Sequence, residues 1–320
     1  MTNTLKPESI ALSASSACQL RCPSCPTGTG KIQESIGTGY LKIVDFKKFT
    51  DKNPWVKHIE LTHRGEVFLN PELLVILKDA HEKKISLAAS GGANLNNVSD
   101  EVLEGMVRYQ FRSITCSIDG ASEETYQIYR VNGHFNAVIR NIKRINFFKK
   151  KYQSNHPKLS WQFVVFGHNE HELPVARKMA QELGMVFNPK LSWDEKFSPV
   201  RDKDFVRKES GLGVSSRTEY QEKYKTRYLQ KSICRQLWVL PQINFDGRVL
   251  GCCVNLWGDF GNAFEAGLTE VLNNEKMEYT RKMLMGGKEE RADIPCSACW
   301  NYIAMKKSRD WMRAQDIDKS

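Results

Sequence analysis

Long apolar runs are missing from this sequence. No stretch approaches the roughly 18 consecutive apolar residues that a membrane helix needs. The first thirty residues also lack a basic segment followed by an apolar one, so neither a membrane span nor an export signal is expected, and the cytoplasm is the expected compartment. No internal repeat or low-complexity tract interrupts the chain. Nine cysteines in 320 residues would suit a disulfide scaffold only in a short secreted protein, so reduced, ligating thiols are the expectation. Concentrated basic patches are lacking too. The formal net charge is +10, yet Lys and Arg are dispersed, and the longest run is Lys149-Lys150-Lys151. That pattern describes solvated helix faces and excludes a nucleic-acid partner. It leaves an anionic small substrate or an acidic electron donor as the partners the charge would favour.

What is present is an alternation of β-rich and helical stretches from residue 10 to about 190, the pattern of βα units around a parallel sheet. Strands are predicted at 10–15, 58–62, 85–90, 113–118, 159–166 and 185–190, with helices at 44–50, 71–83, 100–109, 135–151 and 173–183. Six units make an α/β fold of the incomplete (β/α)6 type, a TIM-like partial barrel whose chemistry belongs at the C-terminal strand ends. Residues 192–233 are charged and loop-like, too long for an ordinary connection, and read as a lid or substrate loop. The division is thus 1–191 for the barrel, 192–233 for the variable segment and 234–320 for a small cysteine-rich module. In that module "LWVLPQINFDGRVLGCCVN" predicts a β-hairpin turning at Asp246-Gly247, followed by two short helices and "CSACW".

Cys18, Cys22 and Cys25 follow the first strand, on a loop at the face expected to be active. Zinc takes four closed ligands, or three and a water. A four-iron cluster on three thiolates keeps one iron open to a non-protein ligand. Cys116 alternates with Ser117 and Asp119 along a strand and is expected on the opposite, packed face.

The stretch "CQLRCPSCPTG", with its C-x3-C-x2-C spacing after a first strand, resembles the signature of the radical S-adenosylmethionine (SAM) enzymes. The resemblance implies a 4Fe-4S cluster on Cys18, Cys22 and Cys25 that chelates SAM and cleaves it to a 5'-deoxyadenosyl radical. "THRGEVFLNPEL" is similar to the family's Gly-Gly-Glu stretch, which holds the SAM ammonium. Gly65 and Glu66 match, while Arg64 stands where the first Gly is usual. "ITCSIDGASEETYQIYR" resembles the family's Ser-x-Asp-Gly strand end and following Arg, which implies SAM contacts from Ser117 and Arg130, with Asp119 nearby. Ser24 replaces an aromatic common before the third cysteine, and "ASGGANL" lacks the Asn of the usual Thr-Asn-Gly.

Cys234, Cys252, Cys296 and Cys299 resemble the ligands of the shortened SPASM or twitch module, which implies an auxiliary 4Fe-4S cluster; four thiolates would serve zinc equally well. Cys253 is left over and is a candidate hydrogen-atom donor. A fully ligated cluster suits electron transfer or structural support. The expected function is therefore a radical SAM oxidoreductase acting on a polar small molecule such as a sugar, aminosugar or cyclitol, supplied with electrons by a flavodoxin- or ferredoxin-type donor. The barrel's start near residue 10 leaves no room for the leader-binding domain of many peptide-modifying relatives, which supports that substrate class. Peptide maturation, epimerisation through Cys253, and a non-enzymatic electron carrier or zinc-stabilised module are the alternatives. Asp119, Tyr126, His168 and Arg201 are the further side chains considered for proton transfer or substrate orientation.

Overall fold

The computed structural model describes residues 4–318. Among these, eight strands form one sheet: β1 (Ser9–Leu12), β2 (His58–Glu60), β3 (Ser86–Ala93), β4 (Ser113–Ser117), β5 (Lys158–Val165), β6 (Val186–Leu191), β7 (Gln242–Ile243) and β8 (Val249–Gly251). Their order is β6-β5-β4-β3-β2-β1-β7-β8. The first six are mutually parallel, so the six predicted strands are all found within a few residues of their expected ends. No described helix is long and apolar enough to cross a membrane.

Period-two alternation sorts each strand into two faces. Ile10, Leu12, Ile59, Leu87, Ala89, Ile114, Cys116, Leu159, Trp161, Phe163 and Val165 all lie in the main core, where they meet the helices Ile43–Lys52, Leu73–Glu82, Asp100–Arg108 and Phe135–Lys151. The other face is polar. Register sets Thr115 beside Ser160, Ser117 beside Gln162, and Gln162 beside Asn188. Parallel sheets covered on both faces read as continuous apolar runs. Here the concave side of an unclosed barrel stays wet, and the sequence alternates accordingly.

The hairpin of the C-terminal module does not stand apart from the barrel. Its first strand pairs in parallel with β1, Ala11 opposite Gln242 and Leu12 opposite Ile243, and β8 returns antiparallel. The turn falls at Asp246-Gly247 as expected, with Gly247 at φ 89°, a conformation that favours glycine. The "LWVL" part of the predicted hairpin is instead helical, because the helix Gln230–Val239 runs through it with Cys234 and Leu237 buried.

Residues 192–233 are more ordered than their loop-like composition suggests. They contain the helices Lys203–Glu209 and Arg217–Tyr224. Neither has a broad apolar stripe; only Val206 is buried in the first and nothing in the second. Caps and charge pairs hold them instead. Asp202 accepts from Phe205 N–H at 2.9 Å and Ser216 from Glu219 N–H at 3.0 Å, and Arg207 reaches both Asp204 and Glu219. Hydrophobic periodicity cannot reveal such helices, since their stability lies in terminal hydrogen bonds.

Candidate functional site

The loop after β1 carries Cys18, Cys22 and Cys25 at the C-terminal strand ends. Cys22 is buried and the other two are partly exposed. The loop closes tightly: Cys25 N–H donates to the Cys22 carbonyl at 3.1 Å and Thr29 N–H to the Cys25 carbonyl at 2.9 Å. A Cβ on Gly28 would stand 2.8 Å from the Cys22 nitrogen, so only glycine lets the chain wrap this closely. Polar groups address the sulfurs directly. Arg130 Nη1 lies 3.8 Å from Cys22 Sγ, and Asn94 Nδ2 lies 3.7 Å from Cys18 Sγ.

Gly65 and Glu66 pack against the base of this loop. Glu66 N–H donates to the Ala17 carbonyl at 2.7 Å, and a Cβ on Gly65 would meet the Ser15 carbonyl oxygen at 2.5 Å. The Glu66 carboxylate is buried and accepts from Asn94 N–H at 2.6 Å and Phe68 N–H at 3.3 Å. Burial raises its pKa to about 7, against the pull of those two amides. Among the described residues no cation forms an ion pair with it; Arg130 acts on it at longer range, and it lies within electrostatic reach of Cys18. A carboxyl placed so is a receptor for a positive group at the thiol loop.

Arg130 is held by Asp119, Nε to Oδ2 at 2.6 Å. Asp119 is fully buried, and its Oδ1 accepts from Val164 N–H at 2.7 Å. Burial raises the Asp119 pKa and Arg130 opposes that rise. Ser117 Oγ is 3.4 Å from Gln162 Nε2 on the polar face, and Gly92, at φ 120°, leaves the space above it open. Cys116 is buried in the apolar core on the other face, as alternation predicts. Of the other side chains considered, Tyr126 is buried with its hydroxyl on Asn96 Nδ2 at 3.0 Å. Arg201 donates its backbone N–H to Glu170 at 3.0 Å, and its charge acts on His168. His168 stacks on Phe166 with ring centroids 5.3 Å apart and contacts Ser198 Oγ through Nδ1 at 2.9 Å; its Nε2 is shielded without a partner. Burial depresses its pKa to about 4.

Three features were not read from the sequence. Leu20, Tyr129, Phe166 and Phe197 form an apolar wall packed against the three loop thiols. Asn94 links Cys18, Gln19 and Glu66. Ser24 donates to Asp194 at 2.7 Å, tying the thiol loop to the segment after β6. The aromatics come from three separate elements, so no local spacing could have grouped them.

In the C-terminal module Cys234, Cys252, Cys296 and Cys299 are all buried. They come from the helix Gln230–Val239, the end of β8, a short 3-10 turn at Pro295–Ala298 and the start of the helix Trp300–Ser308. Cys296 lies within electrostatic reach of Cys252, Cys234 and Cys299. Burial pushes the Cys252 thiol up to about 12, and those of Cys234 and Cys296 well above the usual range. Cys253 is only partly buried, within electrostatic reach of Cys252 and of the Arg64 cation. Its N–H donates to Gln236 Oε1 at 2.8 Å.

A family model for the SPASM iron-sulfur cluster-binding domain matches residues 234–300. Over nearly its whole length the chain superposes on Streptococcus suis SuiB bound to S-adenosylmethionine, with a TM-score of 0.67, 13% identity, and coverage of 98% of this chain and 77% of that one. The chain has the radical SAM fold with a C-terminal SPASM iron-sulfur domain. SuiB bound to precursor peptide SuiA gives a TM-score of 0.63 at 14% identity, covering 98% of this chain and 76% of that chain. BtrN in complex with AdoMet and 2-DOIA gives 0.50 at 13%, covering 92% and 93%. Among curated sequences no relative matches.

Four buried thiols from separate elements could close around a zinc ion or a four-iron cluster. The match to the SPASM iron-sulfur cluster-binding domain favours the cluster.

Proposed function

We propose that the protein is a SAM-dependent radical oxidoreductase acting on a polar small molecule. The observation that carries this reading is the contrast in thiol number. Three cysteines stand on a partly exposed loop beside a buried carboxyl, and four buried ones are gathered from separate elements in the SPASM domain. A 4Fe-4S cluster held by Cys18, Cys22 and Cys25 with SAM beside it, and a second held by Cys234, Cys252, Cys296 and Cys299, would supply one-electron radical and electron-transfer chemistry.

The chain's own residues supply the rest. Glu66 receives the SAM ammonium, and Gly65 brings that carboxyl to the loop. Asp119 fixes Arg130 against Cys22, which gives this buried aspartate a positioning role in place of the proton transfer considered from sequence. Ser117, with Arg130, addresses the SAM carboxylate and ribose. The wall of Tyr129, Phe166 and Phe197 keeps water from the sulfurs. The hydroxyl- and amide-lined concave face, Ser113, Thr115, Ser117, Ser160 and Gln162 in register, supports a polyhydroxylated substrate such as a sugar, aminosugar or cyclitol. His168, with Nδ1 on Ser198 and Nε2 shielded, packs on the aromatic wall, and the proton released on substrate oxidation leaves to solvent. A flavodoxin- or ferredoxin-type protein supplies the first electron, in the cytoplasm.

Peptide maturation is the second reading. Its support is the greater likeness to SuiB, solved with a precursor peptide, than to BtrN. The epimerase variant would use Cys253, whose thiol burial holds above its usual range while Arg64 opposes the rise, so that it stays protonated as a hydrogen-atom donor must. Loaded protein incubated with SAM and dithionite against separate pools of polyols and of short peptides distinguishes the readings. Substrate-dependent 5'-deoxyadenosine with loss of two hydrogens from a polyol supports the first, and the same mass change in a peptide alone overturns it.

A further inference from the structure

Among the described residues Arg281 is buried and Arg64 and Arg130 are partly buried, and two of these three have evident partners. Arg130 pairs with Asp119. Arg281 spends its donors on the carbonyls of Leu237 and Leu272, at 2.8 to 3.2 Å. Arg64 has no such solution.

Arg64 follows β2 in the turn that carries Gly65 and Glu66, at the position where the radical SAM resemblance leads one to expect glycine. Its carbonyl accepts from Thr27 Oγ1, on the loop just past Cys25. Its Nη2 donates to the carbonyl of Cys253, in the SPASM domain. One residue therefore joins the two thiol regions, its backbone carbonyl on the Thr27 side and its guanidinium on Cys253, 189 positions away in sequence. Its Nε is shielded from solvent and has no partner. No carboxylate stands within ion-pairing distance among the described residues; the groups that offset its charge are Cys253, Cys25 and Cys252, in that order. Burial draws the guanidinium below its ordinary value, and only those thiols pull it back.

An enclosed cation without a counter-charge is costly. The chain provides no carboxylate here, but it provides thiols from both sets, and these become thiolates when a metal cluster binds. A guanidinium N–H directed at thiolate or sulfide is a charge-assisted hydrogen bond. Fixed positive charge and hydrogen bonds to sulfur also stabilise the reduced form of an iron-sulfur centre, which raises its potential.

We infer that Arg64 is the electrostatic link between the two cluster sites, a positioning residue that seats the Cys252-Cys253 corner against the Cys25 loop and holds the SPASM centre at a potential suited to accepting an electron. This rests on the reading that both thiol sets carry 4Fe-4S clusters. The chemical class addressed by the open Nε–H is anionic sulfur, a cluster thiolate or sulfide.

The test uses the full chain, anaerobically loaded, as wild type, Arg64→Met and Arg64→Lys. Iron and sulfide are counted first, then the two centres are followed through a redox titration by electron paramagnetic resonance. Wild type with fewer than about eight irons sinks the two-cluster reading itself, and the comparison ends there. With eight irons in each protein, Arg64→Met is expected to move the SPASM midpoint to a more negative potential, with a smaller shift of the first centre in the same direction. Arg64→Lys, which keeps the charge, should return most of that shift. Midpoints in Arg64→Met equal to those of wild type overturn the inference. Should Arg64→Met fail to retain iron, Arg64→Gln preserves length and a donor without the charge, and carries the same expectation and the same contrary result.

Discussion

The two thiol regions differ in how they are assembled, and the difference assigns their roles. Cys18, Cys22 and Cys25 come from one short loop, two of them partly exposed. Arg130, Asn94 and the Glu66 carboxyl surround them. The SPASM thiols come from four separate elements, are all buried, and have Arg64 as the cation at their edge. On the proposed reading the first arrangement would leave a metal position open beside groups suited to a charged ligand. The second would enclose its metal. Openness at one site and closure at the other are what a SAM-binding centre and an electron-accepting centre respectively require.

The comparison breaks most completely if the thiol sets are not independent. Replacing Cys18, Cys22 and Cys25 by alanine should abolish 5'-deoxyadenosine formation, measured by chromatography, while leaving about four irons per chain in the SPASM domain. Loss of all iron would show a single shared site. Next in size is Asp119→Asn, which strands the Arg130 cation. Breaking a buried ion pair by removing one partner costs about 3–5 kcal/mol. A denaturant midpoint unchanged by this substitution would contradict the assigned role.

Glu66 sharpens the contrast through pH. Its folded pKa of about 7 lies above the unfolded value of about 4.3. The folded protein therefore binds the proton more tightly, and stability from this group is present at low pH and lost as pH rises toward 7. A cation bound at Glu66 needs the ionised form. SAM affinity, followed by calorimetry on loaded protein, should thus rise as pH passes through 7 and level off above it. Glu66→Gln should weaken SAM by roughly 10- to 150-fold, from a charged hydrogen bond of roughly 1.5–3 kcal/mol, and flatten the pH profile. A smaller effect is expected from Ser24→Ala. It frees the thiol loop from Asp194 and should cost no more than about 1 kcal/mol, with a modest rise in proteolytic nicking of residues 192–200 and little change in iron content.

Much of this was legible in the sequence, for reasons that can be named. The six barrel strands alternate polar and apolar residues because one face meets helices and the other an open lumen. The loop thiols announced themselves by spacing, and the four SPASM thiols by their flanking turn and C-x2-C. Pairing of β7 with β1 was not legible, since nothing local connects Ala11 to Gln242. The helix Gln230–Val239 was misjudged because Trp238 and Val239 favour strands, while burial of Cys234 and Leu237 decides the matter. Arg64 registered only as a departure from glycine. Its contact with Cys253 depends on the fold that brings residues 64 and 253 together.

The most direct test of the account is a count of iron and acid-labile sulfide in anaerobically reconstituted protein, with 5'-deoxyadenosine followed after SAM and dithionite are added. The account predicts about eight irons per chain and SAM-dependent 5'-deoxyadenosine. Zinc in place of iron, or about four irons with no cleavage of SAM, would contradict it.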